Sequence, residues 1–107
     1  MTMSQRIQKI NKLIQEELTN FLRNEYAEKG IFSILEVFVN DDLSLAKVYI
    51  DVLKLNIDNK KFEEMLNRKA FYFRQLLKKR MVSKKVPQLV FYVISEAPED
   101  VLIDIKE

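Results

Sequence analysis

Ala46-Lys47-Val48-Tyr49-Ile50-Asp51-Val52 alternates apolar and water-tolerant side chains at every step, the period of a strand with one buried face and one wet or partly covered face. Upstream, Ile31 to Val39 is rich in β-branched and aromatic residues, so the two stretches read as an antiparallel pair. Asn40-Asp41-Asp42 lies between them. Asp41 and Asp42 are adjacent carboxylates, but Asp and Asn between strands are turn formers, and neither is given a catalytic role. The buried face of the pair needs a cover. Ile7, Ile10, Leu13, Ile14, Leu18, Phe21 and Leu22 recur at steps of three and four, which predicts one amphipathic helix from about 5 to 28. Gly30, just beyond it, reads as its left-handed cap.

Downstream, Asp58 or Asn59 can cap a second helical region, with Phe62, Met65 and Leu66 inward and Ala70, Phe73, Leu76, Leu77 and Met81 continuing the stripe. The region is two helices or one broken helix. Val86-Pro87 ends it, because proline disfavours helix in the preceding residue. Leu89 to Ile94 then forms a third strand, apolar on both faces. Residues 96–107 make an acidic C-terminal tail in which acidic and apolar residues alternate, and Pro98 can open a short helix there. The fold class is α+β: a single two-layer domain over 1–107, with a core of about 5–95. Its elements run α-β-β-α-α-β, and a three-stranded sheet is covered by helices.

Composition narrows the chemistry. The chain has no histidine, no cysteine and one glycine, so finger-type zinc sites, disulfides, thiol nucleophiles and imidazole bases are excluded. Phosphate-cradling loops need at least two glycines, which removes the P-loop, the dinucleotide fingerprint and the GxxG loop of KH domains. No metal, cofactor or small-molecule substrate is expected. The longest apolar run, Leu89 to Ile94, is far short of a bilayer span, and the polar start gives no signal peptide. A cytoplasmic location is the expectation.

Charge is unevenly placed. Lys60 to Lys85 contains 10 basic and 2 acidic residues, whereas 86–107 contains 1 and 5. A local charge of +8 within a chain of net +2 is the footprint of a surface that meets phosphates.

The order of elements matches the bacterial type of KH fold. In addition, Asp42-Leu43-Ser44-Leu45-Ala46-Lys47-Val48-Tyr49-Ile50, then Arg74-Gln75-Leu76-Leu77, then Val86-Pro87-Gln88-Leu89-Val90-Phe91-Tyr92 together resemble the bacterial ribosome-binding factor A family, from about Arg6 to Tyr92. That resemblance implies a KH-like fold without catalysis. It also implies binding to the 30S subunit and help in late maturation of 16S rRNA, including its 5′ end. The family's Ala-x-Gly element at the bend between the last two helices corresponds to Lys69-Ala70-Phe71, without its glycine, and Val93 stands where the family commonly has aspartate.

On a straight last helix, Arg74 and Lys78 share a side with Phe71, and Arg68 and Lys79 lie on a neighbouring stripe. Arg68, Lys69, Arg74, Lys78, Lys79, Arg80, Lys84 and Lys85 are the candidate RNA contacts, meeting phosphates as forks and point charges. Arg80 points toward the apolar side, which favours a snorkelling or capping role. Lys84 and Lys85 sit in a short loop and read as solvated. Phe71 and Tyr72 are expected to pack at the bend, and the reversal of Arg74 and Lys78 is expected to spare stability. Free protein is expected to be monomeric, without membrane contact. Two other readings stay open: a KH-like module with an acidic protein partner, and a small metal-independent ribonuclease using Lys47 and Tyr49.

Overall fold

The computed structural model describes residues 3–82 and 85–94. Helix α1 spans Met3–Tyr26 and a single 3-10 turn follows at Ala27–Lys29. Strands β1 (Gly30–Val39) and β2 (Leu45–Leu55), helices α2 (Asn59–Arg68) and α3 (Ala70–Arg80), and strand β3 (Gln88–Ile94) complete the chain. The order is the expected one. The sheet runs β1-β2-β3, with β1 antiparallel and β3 parallel to β2. The helical region between β2 and β3 forms the crossover that a parallel pair requires. The tail helix expected after Pro98 lies outside the described residues.

All three helices pack on one face of the sheet. Ile10, Ile14, Leu18, Leu22 and Tyr26 form the buried stripe of α1, and they meet Val37, Val48, Ile50, Phe62, Phe73, Leu77 and Phe91 in one core. The spacing of four along α1 is the periodicity that marked it. Tyr26 ends the stripe edge-on to Phe62 at 5.7 Å and to Phe73 at 6.3 Å. No helix among the described residues is long and apolar enough to cross a membrane.

Gly30 is not the cap of α1. The helix has already ended at Tyr26, and Gly30 opens β1 with φ +144° and ψ −159°, a region outside the left-handed helical cap and open essentially to glycine alone. Space enforces the same choice, since a Cβ there would lie 2.1 Å from the Lys54 carbonyl oxygen and 2.7 Å from the Leu55 Cα.

β1 carries no clean alternation because it is bulged. The register slips between Ile34 and Glu36 and, on β2, between Val52 and Lys54, leaving Leu35 and Leu53 as the extra residues. Inward residues are therefore Phe32 and Ile34 before the slip and Val37 and Val39 after it. The turn at 40–45 is built as read. Asn40 Oδ1 accepts from the Ser44 and Leu45 N–H groups at 2.9 and 3.0 Å, and Asp42 Oδ1 accepts from the Ser44 hydroxyl at 2.6 Å. Leu43 takes a positive φ of 62° there.

Flanking helices close both edges of the sheet with side chains. On β1, Asn11 Oδ1 accepts from the Val39 N–H at 3.1 Å and Gln15 Nε2 donates to the Ile34 carbonyl at 3.3 Å. On β3, Asn67 brackets Phe91, accepting from its N–H at 2.7 Å and donating to its carbonyl at 2.9 Å, and Glu63 accepts from the Val93 N–H at 2.9 Å. These bonds satisfy edge groups that would otherwise invite another strand. β3 is apolar on both faces as read, yet only Leu89 and Phe91 are fully buried. Tyr92 is 38% exposed on the uncovered face.

Candidate nucleic-acid interface

The basic segment folds as α2, a one-residue break at Lys69, and α3. Asp58 caps α2, its Oδ2 accepting from the Lys60 and Lys61 N–H groups at 3.1 and 3.3 Å, which offsets two of the helix's orphan donors. Phe62, Leu66, Phe73 and Leu77 hold both helices against the sheet. Lys69 has φ −102° and ψ 12°. Its N–H still donates to Met65 and Leu66, and its carbonyl accepts from the Phe73 N–H at 3.0 Å. Because φ stays negative, the bend needs no glycine. That is how Lys69-Ala70-Phe71 can replace a glycine-containing element.

Between this break and β3 lies a cleft of about 350 Å³, lined by Asn67, Arg68, Ala70, Phe71, Arg74, Gln88 and Leu89. Asn67, one of these lining residues, is held by its two bonds to Phe91. Arg74, half-buried, donates from Nε to the Val86 carbonyl at 3.0 Å, which uses one of its five N–H donors and fixes the guanidinium at the rim. Arg74 is thus a structural residue as well as a candidate contact, and its reversal to glutamate removes the Val86 partner. The expectation that reversing Arg74 spares stability is corrected on this ground.

Phe71 and Tyr72 do not pack into the bend. They are 67% and 47% exposed, because in a run of three aromatics only Phe73 points inward, in step with Leu77. Phe71 therefore sits at the cleft as an open ring. The Tyr72 ring lies beneath Lys69 Nζ at 5.4 Å.

The remaining cations divide into two groups. Lys69 Nζ pairs with Glu25 Oε2 at 2.8 Å, and that hydrogen bond holds its ammonium above the ordinary lysine range. Arg80 Nε lies 3.9 Å from Glu17 Oε1. Both pairs tie the basic segment to α1, and for Arg80 an ion pair replaces the snorkelling role. Arg68, Lys78 and Lys79 are exposed, and among the described residues neither they nor Arg74 has an ion-pair partner. Lys78 and Lys79 occupy the last turn of α3, where the helix dipole favours positive charge. Lys85 is exposed and close enough to Asp42 to help depress its carboxyl, although the hydrogen bonds from Ser44 do most of that. Lys84 lies outside the described residues. The structure thus brings Arg68, Phe71 and Arg74 together at the cleft, sets Lys78 one turn beyond Arg74 with Lys79 on the neighbouring stripe, and leaves Lys85 next to Val86, the partner of Arg74.

Sequence reasoning missed Asn67, Glu63 and Gln88. A signal existed for the first two: Glu63 and Asn67 are four apart and each directly follows a buried residue of α2, Phe62 and Leu66, so both flank the apolar stripe. Lys47 and Tyr49 lie on the uncovered sheet face, with Tyr49 stacked on Tyr92 at 5.3 Å, away from the basic helices.

Comparison with known proteins bears on the family and the fold. A family model described as ribosome-binding factor A matches residues 6–100. The ribosome-binding factor A of Alkalilimnicola ehrlichii is 37% identical over 89 residues, covering 80% of this chain and 68% of the relative. That of Vesicomyosocius okutanii is 35% identical over 97 residues, covering 89% and 82%. In three dimensions the chain superposes on the crystal structure of ribosome-binding factor A from Thermus thermophilus with a TM-score of 0.70 over 81% of this chain and 94% of that one, at 15% identity, a likeness of fold.

Proposed function

The chain belongs to the ribosome-binding factor A family, and we propose that it performs the family's work through the face formed by Arg68, Phe71, Arg74, Lys78 and Lys79. The protein is a cytoplasmic, non-catalytic assembly factor of the 30S subunit, involved in 16S rRNA processing. On our reading the processing it assists is at the 5′ end, and the free protein is a monomer. The observation that carries the assignment of the face is the division among its cations. Lys69 and Arg80 are engaged by acids of α1, while Arg68, Arg74, Lys78 and Lys79 are left to meet phosphates beside an open aromatic ring.

The mechanism needs no bond to be made or broken. Arg68 and Arg74 offer bidentate forks to backbone phosphates, the two lysines offer mobile point charges, and Phe71 can stack on an unpaired base. A break built on Lys69 lacks the glycine loop that clamps single strands, so recognition rests on the shape and phosphate positions of a folded RNA. A factor that binds the immature conformation better than the mature one shifts the RNA between them by that difference, and dissociates when the mature form is reached.

Arg68→Glu with Lys78→Glu and Lys79→Glu changes exposed side chains only, so thermal unfolding should stay close to that of the parent while the protein no longer co-sediments with free small subunits. Undiminished co-sedimentation of a folded triple variant would overturn the proposal.

A further inference from the structure

The first half of β1 meets α1 across a cavity. Gln15 donates to the Ile34 carbonyl at 3.3 Å, so the backbone groups of Ile34 point away from β2. The bulge in this stretch lies on β2 at Leu53, which leaves β1 regular, and the backbone groups of Phe32, two residues back, point the same way. Among the described residues no side chain bonds the Phe32 N–H, the Phe32 carbonyl or the Ile34 N–H. These groups are overhung by the end of α1. A cavity of about 280 Å³ lies between Thr19, Leu22, Arg23 and Ala27 on one side and residues 30–34 on the other.

Its chemistry is one-sided. Leu22 and Ile34 are buried, and Phe32 is half-buried against the Phe62 ring at 5.2 Å, so the floor is apolar. Arg23 is the one charged residue of the lining. It is exposed, and among the described residues it has neither an ion pair nor a hydrogen-bond partner. Its place in the last turn of α1 suits a cation, yet leaves all five guanidinium N–H donors open. The Thr19 hydroxyl has given its proton to the Gln15 carbonyl at 2.7 Å. Donors therefore predominate beside an apolar floor, and no acid in the lining repels an anion.

We propose that this cavity binds a small carboxylic acid with an apolar body, the hydrocarbon on Leu22, Phe32 and Ile34 and the carboxylate at Arg23. An ionised carboxylate accepts a bidentate fork from arginine. At about 30 Å³ for each water-sized group, the cavity holds roughly nine or ten non-hydrogen atoms, near the lower end of ligand pockets. An added peptide strand fits less well, because Gln15 and Asn11 close the β1 edge beyond this point. The site lies on β1, with β2 between it and the strand that carries the basic helices. It therefore stands or falls independently of the RNA-binding face.

Phenylacetate, with ten non-hydrogen atoms, is the probe, added to the isotope-labelled full chain while amide shifts are followed. The expected result is saturable shifts at Arg23, Ala27, Phe32 and Ile34 with a Kd of about 1–5 mM, the strength open to so small a ligand. Phenylacetamide, which keeps the shape without the charge, should bind at least about fivefold more weakly, and so should phenylacetate to Arg23→Gln. Arg23→Lys, which keeps the charge and loses the fork, should fall between Arg23→Gln and the parent. Arg23 is exposed, so the melting temperature of both variants should match the parent. Absence of saturable shifts at these amides up to about 20 mM phenylacetate would overturn the proposal. So would equal binding of phenylacetamide, undiminished binding to Arg23→Gln, or shifts centred on Arg68 and Arg74, which would place the probe on the basic helices.

Discussion

Gly30 and Asn67 each carry more of the architecture than their surroundings in the sequence suggest. Gly30→Ala adds a methyl 2.1 Å from a backbone oxygen at φ +144°, so it combines backbone strain with a steric conflict and should cost about 3 kcal/mol or more. For a domain of this size that lowers the melting temperature by about 10 °C or more, on a scale of about 4–8 °C per kcal/mol; a fall of only a few degrees in thermal denaturation would contradict the geometry. Asn67→Ala orphans both the N–H and the carbonyl of Phe91, at about 2–3 kcal/mol. Amide exchange separates the two bonds: Phe91 should exchange fast in Asn67→Ala and stay protected in Asn67→Asp, which keeps the acceptor but loses the donor. Burial raises the Tyr26 hydroxyl above its ordinary pKa near 10. A group held protonated in the fold supports stability below its unfolded pKa and loses that support as pH rises through the folded one. Stability should therefore decline as pH rises above about 10, and Tyr26→Phe should show a shallower decline in alkaline melting curves. The periodicity of the chain reveals neither Gly30 nor Asn67 in its true role. A glycine just past a helical stripe looks the same whether it ends the helix or starts the next strand, and what distinguishes the two here is the distant Lys54 carbonyl on β2.

The helices and strands themselves were legible, because each is marked by where its apolar residues recur. α1 follows a spacing of four, β2 a strict alternation, and α3 the pair Phe73 and Leu77. What periodicity cannot decide is which of three neighbouring aromatics faces inward. Phe71, Tyr72 and Phe73 are about 100° apart in turn, so a small change in the phase of α3 would exchange them. The one-residue break at Lys69 sets that phase and leaves Phe71 in the cleft. Phe71→Ala should consequently leave the melting temperature close to that of the parent and weaken small-subunit binding about tenfold, the size of one lost base–aromatic stack. A core role would give the reverse pattern, a large loss of stability. Lys69 and Arg80 provide the complementary test. Their ion pairs with α1 are substantially exposed and contribute little, and as residues turned toward α1 they are not expected to touch RNA. Lys69→Met and Arg80→Met should each keep subunit affinity within about twofold, measured by filter binding.

Across the whole molecule the layers divide the work. One edge of the sheet is closed by Asn11 and Gln15, the other by Glu63 and Asn67, so no partner strand is invited and the basic helices are presented on a rigid support. The +8 segment was plain in the sequence, but its division was not, since pairing with Glu25 and Glu17 depends on the crossing of α1 over α3. The proposed face itself offers four cations to phosphates, Arg68, Arg74, Lys78 and Lys79, and that number makes the central claim quantitative. With about four phosphate contacts, each releasing bound counterions, affinity should fall roughly a hundredfold between about 50 and 200 mM salt. The decisive measurement is the affinity of the protein for free small subunits across that range, alongside the Arg68→Glu, Lys78→Glu, Lys79→Glu variant. The account predicts a steep salt dependence in the parent and, in the variant, weak binding with most of that dependence gone. An affinity that ignores salt, or a variant that binds like its parent, would contradict it.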